Sequence, residues 1–261
     1  MPLGAELKHH PRLGRAERAY IALFGAPVNG LRNRLRRLRP LLAERDGSHR
    51  YERILDAGCG PGVFSYTLAR IHPEAEIVGL DIDADKIGLN REIARRSGLK
   101  NCRFVEGDVT RLPEESAYDL AVSVDNLEHI EDDLLALENL HRTLKPGGRL
   151  VVHVPGYFRR WFLFRKKVNF YVPTHVRPGY LREQIVSRIE RAGFKVEEAF
   201  YTYGWLETIS NNISYAITGA EKKRKALYAL VFPFLLLLSW LGRNARPRWG
   251  AGVAVVARKP R

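Results

Sequence analysis

Residues 54–65 read Ile-Leu-Asp-Ala-Gly-Cys-Gly-Pro-Gly-Val-Phe-Ser, a short apolar strand that runs into a glycine turn and opens a helix. Glycine is used where a backbone must turn tightly or lie against a ligand, because a Cβ would collide with it. Gly58, Gly60 and Gly62 meet that need, and the stretch points to a nucleoside-bearing cofactor. The spacing is G-x-G-x-G, whereas the dinucleotide fingerprint sets its third glycine three places after the second, where Val63 stands. A pyrophosphate cradle is therefore not expected.

Outward from the turn, strand-like and helix-like segments alternate. The pattern predicts strands at 54–57, 76–80, 102–105, 119–124 and 149–154, with helices at 63–71, 85–96 and 132–143 between them. Repeated βαβ units of this kind imply a parallel sheet covered by helices on both faces, with the ligand beyond the carboxyl ends of the strands. A helix at 181–192 closed by Gly193, a strand at 195–203 and a last strand at 252–258 complete an α/β, Rossmann-like, doubly wound and mostly parallel sheet of seven strands. The second strand ends in Asp81, 23 residues after Gly58, where a carboxylate is placed to accept hydrogen bonds from two ribose hydroxyls. Asp83 reads as an N-cap for the next helix.

The glycine turn resembles motif I of the class I S-adenosylmethionine-dependent methyltransferases. Glu106-Gly-Asp108-Val109-Thr, after the third strand, is similar to the segment in which that family's acid accepts the adenine amino group and the next residue packs on the ring. Asp56 resembles the motif I acid, which lies near the methionine part of the cofactor, where a carboxylate favours the ammonium and the sulfonium. Asp125, at the end of the fourth strand, is a further candidate for the cofactor site. Glu128-His129, followed by acids, and the Lys145-Pro-Gly-Gly turn resemble the subgroup that includes the quinone-biosynthesis methyltransferases. The resemblance covers roughly residues 51–200 and implies S-adenosyl-L-methionine as cofactor and methyl transfer as the reaction.

Methyl transfer from a sulfonium is an in-line displacement, so the protein must align the acceptor, exclude water and, where needed, take a proton. Histidine suits the last task. His129, just past the fourth strand, and His175, in Thr174-His-Val-Arg-Pro, are the candidate bases, whereas His153 falls inside the fifth strand and reads as packed core. No metal is expected, since only Asp125-Asn126 hints at a ligand set.

The 261 residues carry a formal charge of +14 and only two cysteines, Cys59 and Cys102, without metal-type spacing, as suits buried thiols in a reducing compartment. The organisation read here is a basic helical extension over 1–50, a cofactor-binding core over 51–204, an apolar and basic helical insertion over 205–250, and the last strand and tail over 251–261. Within the extension, two short helices are predicted over 20–42, with Pro40 interrupting or kinking the second. Residues 1–18 hold no apolar stretch of the secretory kind, so the chain is placed on the cytoplasmic side.

The uncharged run 226–241 would extend about 24 Å as a helix, short of the roughly 30 Å of bilayer hydrocarbon. Bracketed by basic clusters at 221–225 and at Arg243, Arg246 and Arg248, it suits a helix lying in the interface with anionic lipid. The stretch 157–167, aromatic and cationic by turns, and Arg32–Arg39 are expected to join it in one basic, apolar face. These segments imply a lipid-like or prenylated acceptor and peripheral attachment to an anionic membrane surface. One rival is a methyltransferase of RNA or another macromolecule, although nucleic acid is not the expected partner because leucine-rich mass does not help to bind phosphate. Another is a non-catalytic scaffold that keeps the cofactor fold.

Overall fold

A computed structural model of the chain describes residues 2–43, 50–161, 165–168, 174–218, 225–245 and 247–261. Two helices lead in, α1 (Arg15–Phe24) and α2 (Asn29–Ala43). The alternation then runs β1 (Arg53–Ala57), α3 (Val63–Ile71), β2 (Glu76–Asp81), α4 (Ala84–Arg96), β3 (Cys102–Glu106), β4 (Tyr118–Val124), α5 (Asp133–Thr143) and β5 (Leu144–Pro155). A hairpin of β6 (Phe158–Trp161) and β7 (Arg165–Val168) follows, then α6 (Arg182–Arg191), β8 (Lys195–Thr202), α7 (Trp205–Thr218), α8 (Lys225–Leu241) and β9 (Gly252–Arg258).

Seven strands form one sheet in the order β3-β2-β1-β4-β5-β9-β8, with β9 antiparallel to both its neighbours and the other contacts parallel. This is the expected Rossmann-like α/β architecture. Successive residues of each central strand face opposite cores. Ile54 and Ile77 join Leu35, Leu38, Tyr66 and Leu68 on the side of α2 and α3, whereas Leu55 and Val78 join Leu137, Leu140 and Ile185 on the side of α5 and α6. Burial on both faces is why these strands read as continuous apolar runs, without polar alternation. Asp83 caps α4 by accepting from Lys86 N–H at 3.1 Å, and Asp132 caps α5 by accepting from Leu135 N–H at 2.9 Å.

Two local expectations are corrected, and one further element appears. Helix α2 continues through Pro40 to Ala43, because its apolar face of Leu31, Leu35, Leu38 and Leu42 is buried against the core and outweighs one lost backbone bond. The Lys145-Pro-Gly-Gly turn lies inside β5, where the register against β4 slips between Tyr118 and Leu120 and the intervening residues bulge. The stretch after β5, where the sequence pattern names no element, forms the β6–β7 hairpin, with Phe158 opposite Val168 and Trp161 opposite Arg165 in the antiparallel register. Residues 162–164, 219–224 with most of the first basic cluster, and Arg246 lie outside the described residues.

Helix α8 packs on α1 and α7 through Tyr20, Phe24, Ile213, Tyr228, Phe232 and Leu235. Pro233 sits inside α8 and has no N–H for the carbonyl of Ala229 four residues back. The Tyr20 hydroxyl donates to that carbonyl at 2.9 Å, so the gap in the helix is filled from α1. Glu207, with no exposed surface, accepts from Arg37 at 2.6 Å and from Gly204 N–H at the start of α7 at 2.9 Å. Arg37 also donates to the carbonyls of Ala245 at 2.7 Å and Gly242 at 3.2 Å. One arginine of α2 thus joins α7 to the segment beyond α8. Arg37→Ala leaves a buried carboxylate short of its main partner and is expected to destabilise the fold by about 3 kcal/mol in chemical denaturation; a loss below about 1 kcal/mol would show that this pair is not what fixes the insertion.

Candidate functional site

Beyond the carboxyl ends of β1, β2 and β4 lies a cavity of about 250 Å3 lined by Gly58, Asp81, Ile82, Gly107, Asp108, Val109, Thr110, Asn126, His129 and Ile130. Its floor is set by hydrogen bonds between the glycine turn and β2. The N–H groups of Gly58 and Cys59 both donate to the carbonyl of Leu80 at 2.8 Å, and Gly60 N–H donates to Asp81 Oδ2 at 2.7 Å. Asp81 Oδ1 accepts from Asp83 N–H at 3.0 Å. Each carboxylate oxygen keeps a lone pair for a further donor, which is what a ribose diol requires. Gly58 has φ +78°, and a Cβ there would overlap the side chain of Asn126. The main chain and Asn126 close on each other only because residue 58 is glycine.

Of the residues read from the sequence, Gly58, Asp81, Asp108, Val109 and His129 share this cavity. Gly60 and Gly62 shape the turn without lining it, with φ +51° and +74°. Asp108 uses Oδ1 to accept from both the N–H and the hydroxyl of Thr110 at 2.8 Å, so it caps the turn that follows it as well as facing the cavity. Two acids stand elsewhere. Asp56 is 1% exposed beneath the turn and accepts from the Ser65 hydroxyl at 2.5 Å. Burial pushes its carboxyl up to about 7, although the bonds from Ser65 work in the other direction. Asp125 turns towards α2, its Oδ2 on Arg34 at 2.7 Å and its Oδ1 on His153 Nδ1 at 2.6 Å. Burial raises its carboxyl, but Arg34 and then His153 outweigh burial and hold it below the usual range. Its backbone, at φ +49°, adopts the left-handed conformation that a non-glycine residue keeps only when its surroundings fix it. His153 is 1% exposed and is held on both nitrogens, with Thr202 Oγ1 at 3.0 Å from Nε2.

His129 and His175 come together although 46 residues separate them in sequence. Their rings meet edge to face with centroids 4.5 Å apart. His129 Nδ1 lies 2.9 Å from the carbonyl of Thr174, an acceptor, so that nitrogen carries the proton and Nε2 is left with its lone pair. Arg177, which sequence reasoning missed, holds this arrangement. It donates to the carbonyls of Leu127, Ile130 and Glu131 at 2.8–2.9 Å and to Asp133 at 3.0 Å, pinning the His175 segment to the turn after β4. Burial and the neighbouring His129 lower the pKa of His175. The Cys59 and Cys102 thiols are both buried and pushed up by that burial, Cys102 to about 12, which leaves them inert as nucleophiles.

The arginines of α2 do not form the expected outward face. Arg32 donates to the carbonyls of Phe24 at 2.5 Å and Leu3 at 3.2 Å, Arg34 pairs with Asp125, Arg36 donates to the Ser239 carbonyl at 2.7 Å, and Arg37 holds Glu207. Internal carbonyls and carboxylates compete for them more effectively than solvent. On α8 the opposite holds. Leu227, Leu230, Phe234, Leu237 and Leu241 recur every three or four residues along one exposed face, with Leu230 and Phe234 each 70% exposed. Trp240 is half exposed beside them, with the Arg243 guanidinium 3.7 Å above its ring. Among the described residues no helix is long and apolar enough to cross a membrane. A second cavity of about 240 Å3, beyond the end of β8, is walled by Tyr203, Trp205, Ile209, Pro247 and Trp249, with Thr208 and Arg248 at its edge.

Residues 48–175 match the sequence model of a family described as a methyltransferase domain. The matched stretch, just under half of the chain, includes β1 to β5 and every residue of the first cavity. Among curated relatives, an uncharacterised methyltransferase of Schizosaccharomyces pombe is 33% identical over 104 residues, 37% of each chain. The chain thus spans little more than a third of that relative's length. A demethylmenaquinone methyltransferase of Listeria monocytogenes is 25% identical over 187 residues, 66% of this chain and 79% of its own. Among solved structures, phosphoethanolamine N-methyltransferase 2 of Haemonchus contortus with S-adenosyl-L-methionine superposes with a TM-score of 0.63 at 19% identity, over 100% of this chain and 60% of that one. That likeness is one of fold.

Two expectations follow from the geometry. Gly58→Ala sets a Cβ against Asn126 at a positive φ and should weaken S-adenosylmethionine binding at least tenfold by calorimetry; unchanged affinity would mean that the turn does not approach the ligand. For Asp56, between about pH 4 and 7 the folded chain retains a proton that the unfolded chain has released, so stability falls as the pH rises through that window and levels off above it. The unfolding midpoint of the wild type, measured against Asp56→Asn at each pH, should decline from pH 4 to 7. A difference independent of pH would place the carboxyl outside a desolvated site.

Proposed function

We propose that the protein is an S-adenosylmethionine-dependent methyltransferase that acts on a lipid-like or prenylated small molecule at the cytoplasmic face of an anionic membrane. The cofactor reading rests on the Asp81 carboxylate, fixed by two backbone N–H groups at the rim of a glycine-lined cavity. The exposed Ile82 and the buried Val109 offer apolar surface to a purine ring there, with Asp108 beside them. His129, its Nε2 unprotonated, stands at the same cavity as base for a hydroxyl acceptor. Sulfonium chemistry needs little more than alignment and exclusion of water, and the closed turn and the stapled His175 segment supply both.

The single observation that carries the membrane reading is the exposed apolar stripe of α8. A contiguous row of leucine and phenylalanine on an otherwise polar chain marks a contact surface. Trp240 with Arg243 at one end and Lys225 at the other fit the boundary between acyl chains and anionic headgroups. The aromatic cavity beyond β8 is suited to an apolar part of the acceptor, and the name of the Listeria monocytogenes relative, a demethylmenaquinone methyltransferase, supports a small-molecule acceptor over a macromolecule.

Incubation with labelled S-adenosylmethionine and total membrane lipid extract, followed by mass identification of the product, tests the reaction. In parallel, the protein is expected to float with anionic vesicles, and Leu230→Glu with Phe234→Glu should abolish flotation while cofactor affinity stays unchanged. Absence of binding to anionic vesicles by the wild type, together with steeply salt-dependent binding to RNA, would move the reading to a macromolecular acceptor.

A further inference from the structure

Where Arg177 pins the His175 segment against the turn after β4, three side chains converge at the mouth of the first cavity. Glu128, His129 and His175 each present one ligating atom within 4.8 Å of the other two. Glu128 is 1% exposed, and among the described residues its buried Oε2 has no hydrogen-bond partner; the buried Nδ1 of His175 likewise has none among them. A buried carboxylate oxygen and a buried imidazole nitrogen left unsatisfied side by side are costly, and native structures resolve such groups with a ligand. The two have no hydrogen bond to each other, and a point central to the three ligating atoms lies within about 2.8 Å of each, so that small side-chain rotations bring all three to the roughly 2 Å of metal bonds.

We propose that Glu128, His129 and His175 bind a divalent transition-metal ion. Two imidazoles and one carboxylate suit zinc, manganese or iron, whereas calcium and magnesium take oxygen ligands. His129 is already set for ligation. Its Nδ1–H donates to the Thr174 carbonyl, the outer bond that ligating histidines commonly make, and this leaves Nε2 as the donor nitrogen. Three protein ligands leave open positions, as in catalytic sites of this kind. Because His129 lines the cofactor cavity, an ion held here faces the acceptor side, where it would lower the pKa of a bound hydroxyl; with Nε2 taken up as a ligand, the ion replaces His129 as the group that activates the acceptor. The sequence pattern offered no such expectation, since His175 joins the pair Glu128-His129 only through the fold.

The test uses the full chain, dialysed against a chelator and then titrated separately with zinc and manganese by calorimetry, with the bound metal counted after desalting. The expected result is one equivalent of zinc or manganese bound with micromolar affinity or tighter, a raised unfolding midpoint, and at least tenfold weaker binding in both Glu128→Gln and His175→Ala. His10→Ala, a histidine far from the site in the N-terminal segment, should bind as the wild type does. No saturable binding of either metal by the wild type, or binding unchanged in both variants, overturns the proposal. If Glu128→Gln does not fold, His175→Ala decides alone, because that side chain is only partly buried. Titration of S-adenosylmethionine into the same preparations separates failure of this site from failure of the methyltransferase reading: cofactor bound and metal refused rejects the site and leaves the other intact.

Discussion

The hydrogen bonds between the glycine turn and the end of β2 are the constraint on which the site depends. Gly58 and Cys59 both donate to the Leu80 carbonyl and Gly60 donates to Asp81, so the turn and the carboxylate are one rigid unit, not two loops that happen to lie near each other. Rigidity here has a physical source. The turn needs positive φ at three places within five residues, and Asn126 presses on it from the end of β4. A cofactor entering this cavity meets a surface already formed, so little ordering entropy is lost on binding.

Around that unit the N-terminal helices and the late insertion form a second layer joined to the core by arginine. Arg34 reaches Asp125 at the end of β4, while Arg36 and Arg37 of the same helix reach Ser239 and Glu207. Helix α2 is therefore a bridge between α8 and the residue that precedes Asn126 at the cavity. The left-handed backbone at Asp125 is kept by this traction, with His153 pulling on the other oxygen. The basic character of α2 is in this way structural: several of its charges are consumed inside the molecule, and the surface cations available to an anionic partner near α8 are fewer than the +14 total implies.

How much was legible in the sequence follows from the range of the interactions concerned. The strands could be read because each is buried on both faces and so appears as an apolar run, and Asp81 could be read because its partners lie on the adjacent strand end. The destination of Asp125 could not, since Arg34 comes from a helix outside the alternating pattern. Asp56 resembles a cofactor acid by position, but the chain at Ser65 folds over it and the cavity does not reach it. The inward turn of the α2 arginines was equally hidden: the carboxylate that holds Arg37 lies 170 residues further on, and no local pattern signals it. His129 and His175 were both singled out, yet their meeting depends on Arg177, whose hydrogen bonds go to carbonyls that every residue possesses.

The exposed stripe of α8 has to be weighed against that inward use of charge. Burying one side of α8 uses Tyr228, Phe232, Leu235 and Ser239, and the helix needs no more than these to pack. Leucine and phenylalanine on the remaining side stay exposed at three- and four-residue spacing, and this stripe is the feature on which the proposed membrane contact rests. Pro233 is tolerated only because Tyr20 fills the carbonyl it frees, which ties the position of the stripe to α1 and, through Arg32 and Arg36, to α2. The same α2 holds Asp125 at the carboxyl edge of the sheet. The proposed membrane contact at α8 would therefore act on an element joined through α2 to the residue beside Asn126, which presses on the cofactor turn.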